Sequence, residues 1–341
     1  MHVGFAYNVK KSKPSIDLKE QDDIEFDSID VIGGIKSSLE ELGHTVSLIE
    51  ADENAFIKLK DLQGKIDIVF NIAEGLGGDA RESQIPIYCE VLKIPYTHSS
   101  PTTHAISLNK DFTKLVLSGI EGINLPKSFI VKDKNYKLPK DLKFPLIIKP
   151  NEEGSGKGIL DENIVEDVKT LEERLKVVSD NFQKSLIVEE FIDGREFTVA
   201  IMGDGERIKV LPIIEQMFGL LPEGKHRIAG FELKWIYEYK MKSVSDVYEC
   251  PAKLDKKTED EIERITKEVC EVLEVKDAAR LDYRLNNKGD LYFLEINTLP
   301  GINPDPNETS CYPLAARTAE MDFTQMVGKI LNFAKERYNL S

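Results

Sequence analysis

The run Leu291-Tyr-Phe-Leu-Glu-Ile-Asn297, which stops at Thr298-Leu-Pro-Gly301, restricts the fold of this chain more than any other segment. It reads as a buried strand carrying two hard oxygen ligands. Strand side chains alternate between faces, so Glu295 and Asn297 share one. A carboxylate on an otherwise apolar strand is costly unless something pairs with it. The preceding Ala278-Ala-Arg-Leu-Asp-Tyr-Arg-Leu285 alternates in the same way, and Asn286-Asn-Lys-Gly-Asp290 between the two supplies turn residues. The pair predicts an antiparallel hairpin on which Asp282, Glu295 and Asn297 converge. Carboxylate and amide oxygens around a gap suit Mg²⁺, particularly Mg²⁺ bridged to nucleotide phosphates. The alternative is a half-exposed hairpin with solvated acids.

The chain has 341 residues, 41% of them hydrophobic and 31% charged, enough for two or three domains with their own cores. Its formal net charge of −15 argues against nucleic-acid binding through a broad basic surface. Cys89, Cys250, Cys270 and Cys311 lie far apart without a CxxC pair, so neither a zinc site nor a disulfide framework is signalled. No apolar run approaches the roughly 20 residues of a membrane span. The N-terminus lacks a basic region followed by a long apolar stretch. A cytoplasmic protein with no membrane partner is the expectation.

The order of elements predicts α/β architecture. Strands are expected at His2 to Tyr7, Thr45 to Ile49 and Ile66 to Phe70. A helix at Ile29 to Leu42, ended by Gly43, stands between the first two. Strand, helix, strand in this rhythm indicates a parallel sheet. Lys10 to Asp23 reads as a mobile charged loop, Glu82 to Leu92 as a helix, and Pro95 to Ser99 as a further strand and turn. Beyond it come a helix at Ala105 to Ser118 carrying Lys110 and Lys114, then strands at Ser128 to Val131, Pro145 to Lys149 and Leu186 to Ile192. Further helices are expected at Glu166 to Val178, Lys257 to Leu273 and Phe323 to Tyr338.

A second chemical feature is Lys149-Pro-Asn-Glu-Glu-Gly-Ser-Gly-Lys-Gly158, a buried strand that ends in a lysine and runs into a glycine-rich loop. Glycine lets backbone N–H groups approach phosphate closely, and lysine adds a point charge. No GK[ST] opens a helix, so this is not a P-loop. Alone, such a loop is more often a plain hairpin turn. The third feature is Leu186-Ile-Val-Glu-Glu-Phe-Ile-Asp-Gly-Arg-Glu-Phe-Thr-Val199, a linker strand suited to wall a base and a ribose. Read by itself, Glu189-Glu190 is a solvated pair, and Glu196 an edge-strand charge.

Taken together, these segments resemble the ATP-grasp superfamily, and within it the D-alanine–D-alanine ligases. The ordered set also includes Val69-Phe-Asn-Ile-Ala-Glu-Gly-Leu-Gly-Gly-Asp79, Ile94-Pro-Tyr-Thr-His-Ser99, Ala105-Ile-Ser-Leu-Asn-Lys-Asp111 and Ala315-Ala-Arg317. The resemblance implies an N-terminal Rossmann-like domain (1–103), a central ATP-grasp subdomain (104–188) and a C-terminal one with the metal hairpin (189–341). It places ATP between the last two. Lys110 and Lys149 match phosphate-binding lysines, and Glu153, Gly154, Ser155 and Gly156 the loop over the phosphates. Glu189, Phe191 and Ile192 fall at the adenine strand and Glu196 at the ribose acid. Asp282, Glu295 and Asn297 match ligands of one or two Mg²⁺ ions, with Mn²⁺ as a substitute. Arg280 matches the arginine that steadies the phosphorylated intermediate, with Ser155 and Lys242 as further catalytic contacts. The implied reaction joins a carboxylate to an amine through an acyl phosphate, releasing ADP and phosphate. The implied partners are small amino acids, and a homodimer is common among relatives.

The departures cluster where amino acids would bind. The family's Ser-x-Glu near the N-terminus has no matching acid in Asn8 to Ser15, and its His-Gly is Glu74-Gly75 here. The loop after Gly301, Ile302 to Pro313, is longer. Glu74, Arg81 and Glu82 are candidates to replace the missing contacts, with a surface ion-pair group as the competing reading. Gly301 and Ser310 remain at substrate-facing positions. Two alternatives therefore stand beside the D-alanine reading: the same mechanism on another pair, such as a hydroxy acid, dipeptide or natural-product precursor, and a non-catalytic ATP-binding regulatory module.

Overall fold

The computed structural model describes residues 1–11, 23–133, 136–182 and 185–340. Most of the charged stretch expected to be a mobile loop, residues 12–22, lies outside them. In chain order the elements are β1 (His2–Tyr7), α1 (Ile29–Glu41), β2 (Thr45–Glu50), α2 (Ala55–Leu62), β3 (Ile68–Asn71), α3 (Gln84–Leu92), α4 (Pro101–Leu108) and α5 (Lys110–Leu117). Next come β4 (Ser128–Val131), β5 (Leu146–Pro150), β6 (Ile164–Val165), α6 (Val168–Phe182), β7 (Leu186–Glu190), β8 (Gly194–Met202), β9 (Lys209–Val210), β10 (Ile214–Gln216) and β11 (Tyr248–Glu249). The chain closes with α7 (Lys256–Val272), β12 (Ala278–Asn286), β13 (Leu291–Asn297), α8 (Cys311–Thr318) and α9 (Phe323–Arg337). The architecture is the expected mixture of a parallel sheet with antiparallel ones.

The first sheet is parallel, in the order β2-β1-β3. The chain expected to add a strand at Pro95 to Ser99 contributes only a single parallel bridge, Val69 to Tyr96. The second sheet is antiparallel, β4-β7-β5-β6, and the third runs β11-β10-β8-β12-β13 with β9 beside β8. Val3 and Phe5 of β1, the apolar stripe of α1, and Met326, Val327, Ile330 and Leu331 of α9 share one core with Ala200 and Met202 of β8. Each such side chain contributes roughly 1.5–3 kcal/mol when fully buried. This core therefore joins the first sheet firmly to the third. Ser28 caps α1, and Asp322 with Gln325 forms a capping box on α9. Such caps are worth about 1 kcal/mol each.

One expected helix is two. The stretch Ala105 to Ser118 breaks at Asn109, whose backbone is extended (φ −89°, ψ 104°) and whose side chain accepts the N–H of Phe112. An Asn that caps the backbone competes with helix continuation. The break starts α5 at Lys110, so that Lys110 and Lys114 lie one turn apart on its buried side. Among the described residues, no helix is long and apolar enough to cross a membrane.

Candidate active site

The hairpin forms as its alternation predicts. β12 pairs with β13 so that Asp282 stands opposite Glu295 and Arg280 opposite Asn297, with a bulge after Asp282. On its other edge β12 pairs with β8, which sets Arg284 opposite Glu196. β12 is thus held on both edges, which fixes the backbone that carries Arg280, Asp282 and Arg284. Asp282, Arg284 and Glu295 face a cleft between the second and third sheets. Ile147, Lys149, Glu189, Phe191, Ile192, Ile228, Asp282 and Glu295 are among its walls, an apolar slot at one end and charge at the other.

At the charged end each acid meets a base. Glu189 of β7, only 1% exposed, accepts a 2.5 Å hydrogen bond from Lys114 and a further one from Lys149. Burial would raise its carboxyl, but the two lysines outweigh that and hold it at about 2. Burial also lowers Lys114, whereas Glu189 and Glu295 outweigh burial at Lys149 and raise it. Lys110 sits 3.5 Å from Glu295 and donates to the carbonyl of Glu153 at 2.5 Å. Burial raises Glu295, but Lys110, Lys149 and Arg280 bring it down to about 2. Glu196 binds Arg284 at 2.6 Å, and that guanidinium also stacks 5.1 Å over Phe191. The solvated-pair reading of Glu189 and the edge-charge reading of Glu196 both fail, because each carboxylate is buried against a cation.

Asp282 also meets a base, Arg280, but there burial outweighs it. Burial pushes its carboxyl up, and the facing Glu295 adds to this against the pull of Arg280 at 3.0 Å. Two buried carboxylates opposed across a hairpin are what a small divalent cation would relieve. Asn297 faces the neighbouring cleft, and its Oδ1 accepts the N–H of Leu299 at 2.8 Å, which leaves one lone pair for a ligand. Among the described residues, no group of three or more His, Cys, Asp or Glu could hold a metal. A divalent ion at Asp282 and Glu295 therefore needs other oxygens, from an amide, water or phosphate.

The glycine loop crosses above. Ser155 and Gly156 adopt left-handed backbone (φ 51° and 72°). A Cβ at Gly154 would stand 2.3 Å from the carboxylate of Glu25, so a side chain there would have to push that carboxylate aside. Trp235 donates through Nε1 to the Ser155 carbonyl at 3.2 Å.

A second cleft adjoins the first and shares Glu196, Lys234 and Asp282 with it. Ser155, Arg280, Asn297, Gly301 and Ser310 line it, as does Glu74. Arg280 pairs with Asp282, while its buried Nε has no hydrogen-bond partner among the described residues. The Ser310 hydroxyl donates to the Gly301 carbonyl at 3.0 Å.

Three expectations for this half need correction. Arg81 and Glu82 do not line the second cleft, nor are they a surface group. Arg81 is buried and spends its guanidinium on Glu25 at 2.6 Å and the Glu152 carbonyl at 2.6 Å. Glu82 is buried 3.8 Å from His104. Lys242 is exposed, outside both clefts, its backbone N–H tied to Asp246 at 2.8 Å. The lysine that does line both clefts is Lys234, earlier on the same segment of short helical turns, the lid (233–246). Sequence reading also missed Lys114, Arg284 and Glu25. Lys114 was findable from its i, i+4 spacing to Lys110, and Arg284 from its place two residues after Asp282 on one strand face. Glu25 had no local signal, because it follows the charged stretch in which the acid was sought.

The family model described as D-ala D-ala ligase C-terminus matches residues 122–332. The D-alanine–D-alanine ligase of Aquifex aeolicus is 33% identical over 301 residues, 87% of this chain and 92% of that protein. An uncharacterized protein, y4sG of Sinorhizobium fredii, is 31% identical over 314 residues, 90% of this chain and 88% of its own. The crystal structure of D-alanine–D-alanine ligase from Bacillus anthracis complexed with ATP superposes with a TM-score of 0.73. It covers 99% of each chain at 22% identity, which shows a shared fold.

Proposed function

Because the chain belongs to the D-alanine–D-alanine ligase family and is an ATP-dependent ligase forming a peptide-type bond, we propose that it joins two small amino acids through an acyl phosphate. The observation that carries this reading is the charge-matched end of the first cleft. There Lys110, Lys149 and the lysine-bridged Glu189 meet the Asp282–Glu295 pair. That set offers positive charge for phosphates beside an apolar slot wide enough for a base.

A carboxylate oxygen of the first amino acid attacks the γ-phosphorus, and the bond from that phosphorus to ADP breaks. The amine nitrogen of the second attacks the acyl carbon, the carbon–oxygen bond to phosphate breaks, and the amine loses a proton. Lys110 and Lys149 offset charge on the transferring group. Glu153, Gly154, Ser155 and Gly156 cover it and exclude water that would hydrolyse the acyl phosphate. Glu189, Phe191 and Ile192 wall the adenine, and Glu196 with Arg284 the ribose. The free Nε–H of Arg280 is placed to stabilise the oxyanion at the acyl carbon. Asp282, Glu295 and Asn297 would hold Mg²⁺, which neutralises phosphate charge when bound. Gly301, Ser310 and Glu74 face the amino acids. Residues 1–103, 104–188 and 189–341 act as the three units around the clefts.

The purified chain, given Mg²⁺, ATP and a panel of amino-acid pairs, is expected to release ADP and phosphate together. Hydroxylamine added with one amino acid alone should yield its hydroxamate. No phosphate release with any pair would overturn the reading.

A further inference from the structure

The second cleft holds more carboxyl groups than two neutral amino acids can use. Glu25, Asp27, Glu74, Glu238 and Glu308 line it beside the already paired Asp282. Among the described residues, the cations that line it against them are Lys10, Lys234 and Arg280, of which Arg280 belongs to Asp282, and Glu25 is met by Arg81 from behind. A pair of neutral amino acids brings one ammonium to be held during the reaction, since the attacking amine must be uncharged. One carboxylate answers it, and several remain.

Glu238 is the most telling of them. It sits on the lid segment, is only 5% exposed, and is therefore no part of a solvated acidic face. Its Oε2 accepts a hydrogen bond from Thr309 at 2.7 Å, which ties the lid to the long loop after Gly301. Its Oε1 is buried with no hydrogen-bond partner among the described residues, although Glu238 lines the cleft. A buried carboxylate oxygen without a donor is costly to keep unless a ligand supplies one.

Resting on the ligase reading above, we propose that one of the two substrates is a dibasic amino acid whose side-chain ammonium is seated on Glu238. Such a group brings the missing donor and the missing positive charge at once. Asp27 and Glu308 lie along the same cleft and add attraction for the cation as it enters. Burial pushes the free Glu238 carboxyl up to about 7, so a cation beside it would restore the ionised form. Specificity of this kind discriminates strongly, because a site that must pair a buried polar group rejects an analogue lacking the partner.

The experiment measures ADP release by the full chain with Mg²⁺ and ATP. One arm offers pairs containing ornithine, lysine or 2,3-diaminopropionate, in both configurations. The other offers pairs of alanine, serine or norvaline. The expected result is a kcat/KM for one dibasic pair about tenfold or more above every neutral pair. Glu238→Gln is expected to bring that ratio down to about one, acting on the KM of the dibasic substrate rather than on that of ATP. Glu308→Gln, at the exposed rim, should lower the ratio by less and guards against misfolding of the first variant. A preference for neutral pairs overturns the inference while leaving the ligase reading intact. A dibasic preference untouched by both variants overturns the role of Glu238. Release with no pair at all removes the ligase reading, and the inference with it.

Discussion

In the first cleft the buried acids face bases, and only at Asp282, beside Arg280, does burial outweigh the base. Glu189 has Lys114 and Lys149, Glu295 has Lys110, and Glu196 has Arg284. In the second, acids face one another and the lid. The consequence shows in the carboxyl groups themselves. Despite burial, Glu189 and Glu295 are held at about 2 by lysines. Burial carries Asp27 and Glu238 to about 7, and burial with Glu82 and Glu25 nearby carries Glu74 well above its ordinary range. A cleft balanced by its own side chains is prepared for a ligand that brings both a polyanion and its counter-ion. An unbalanced one waits for positive charge from outside. The two halves of one reaction are thus prepared differently, and substitutions should separate them.

The largest effect is expected at Asp282, the exception in the balanced cleft. Asp282→Asn should cut phosphate release by about a thousandfold or more, because a neutral amide cannot share a divalent ion with Glu295. The thermal midpoint should stay within about 2 °C, since the amide oxygen can still accept from Arg280 while the amide nitrogen donates to the Thr198 hydroxyl. Turnover within tenfold of wild type would take Asp282 out of the site.

Glu189→Gln comes next and tests the balance itself. It leaves Lys114 and Lys149 buried without their shared carboxylate, and breaking a buried pair costs roughly 3–5 kcal/mol. The pH dependence has a definite sign. The folded Glu189 carboxyl lies near 2, below its unfolded value near 4.5. Its contribution is therefore present above about pH 4.5 and is lost as pH falls toward 2. Urea unfolding should show wild type about 3 kcal/mol more stable than the variant at pH 7, the gap shrinking below about pH 4.5. A constant gap across that window would mean the lysines are not what holds the acid.

The unbalanced cleft should behave oppositely. Glu238 is raised from about 4.5 unfolded to about 7 folded, so its penalty is absent below about 4.5 and grows as pH rises to about 7. Without substrate, Glu238→Gln should stabilise the chain at pH 8 by up to about 3 kcal/mol and by almost nothing at pH 4. Destabilisation at pH 8 would show that the free protein already satisfies this carboxylate.

The two halves also differ in how far the sequence disclosed them. β12 and β13 were legible because alternation, a turn and a carboxylate on an apolar strand all point one way, and their register needs no distant residue. Lys149 and the glycine loop were legible for the same local reason. Asn109 was not, because nothing in Ala105 to Ser118 marks a break until its side chain is seen on the Phe112 N–H. Lys242 and Lys234 lie on one segment, and only the path of the lid decides which reaches the clefts. Glu25 and Arg81 meet across 56 positions of chain, so their pairing is a product of the tertiary fold. Phosphate chemistry was written in contiguous strands and loops, while the amino-acid half was assembled from separate segments.

The smallest effect should come from the joint between the halves. Trp235, the only tryptophan among the 341 residues, donates to the Ser155 carbonyl at 3.2 Å and carries Lys10 4.4 Å over its ring. It therefore ties lid, glycine loop and N-terminal segment above the second cleft. An indole hydrogen bond and a partly exposed cation–π contact are each worth about 1 kcal/mol. Trp235→Phe keeps the ring but loses the donor, and Lys10→Met keeps the stem but loses the charge. Each should raise the amino-acid KM about fivefold, with the KM for ATP changed by less than about twofold. Because there is one tryptophan, its fluorescence reports on this joint alone. Amino-acid binding should shift the emission of wild type, and Lys10→Met should shrink that shift. If instead the KM for ATP rises as much as that for the amino acid, the joint serves both clefts alike and the separation drawn between them is too sharp.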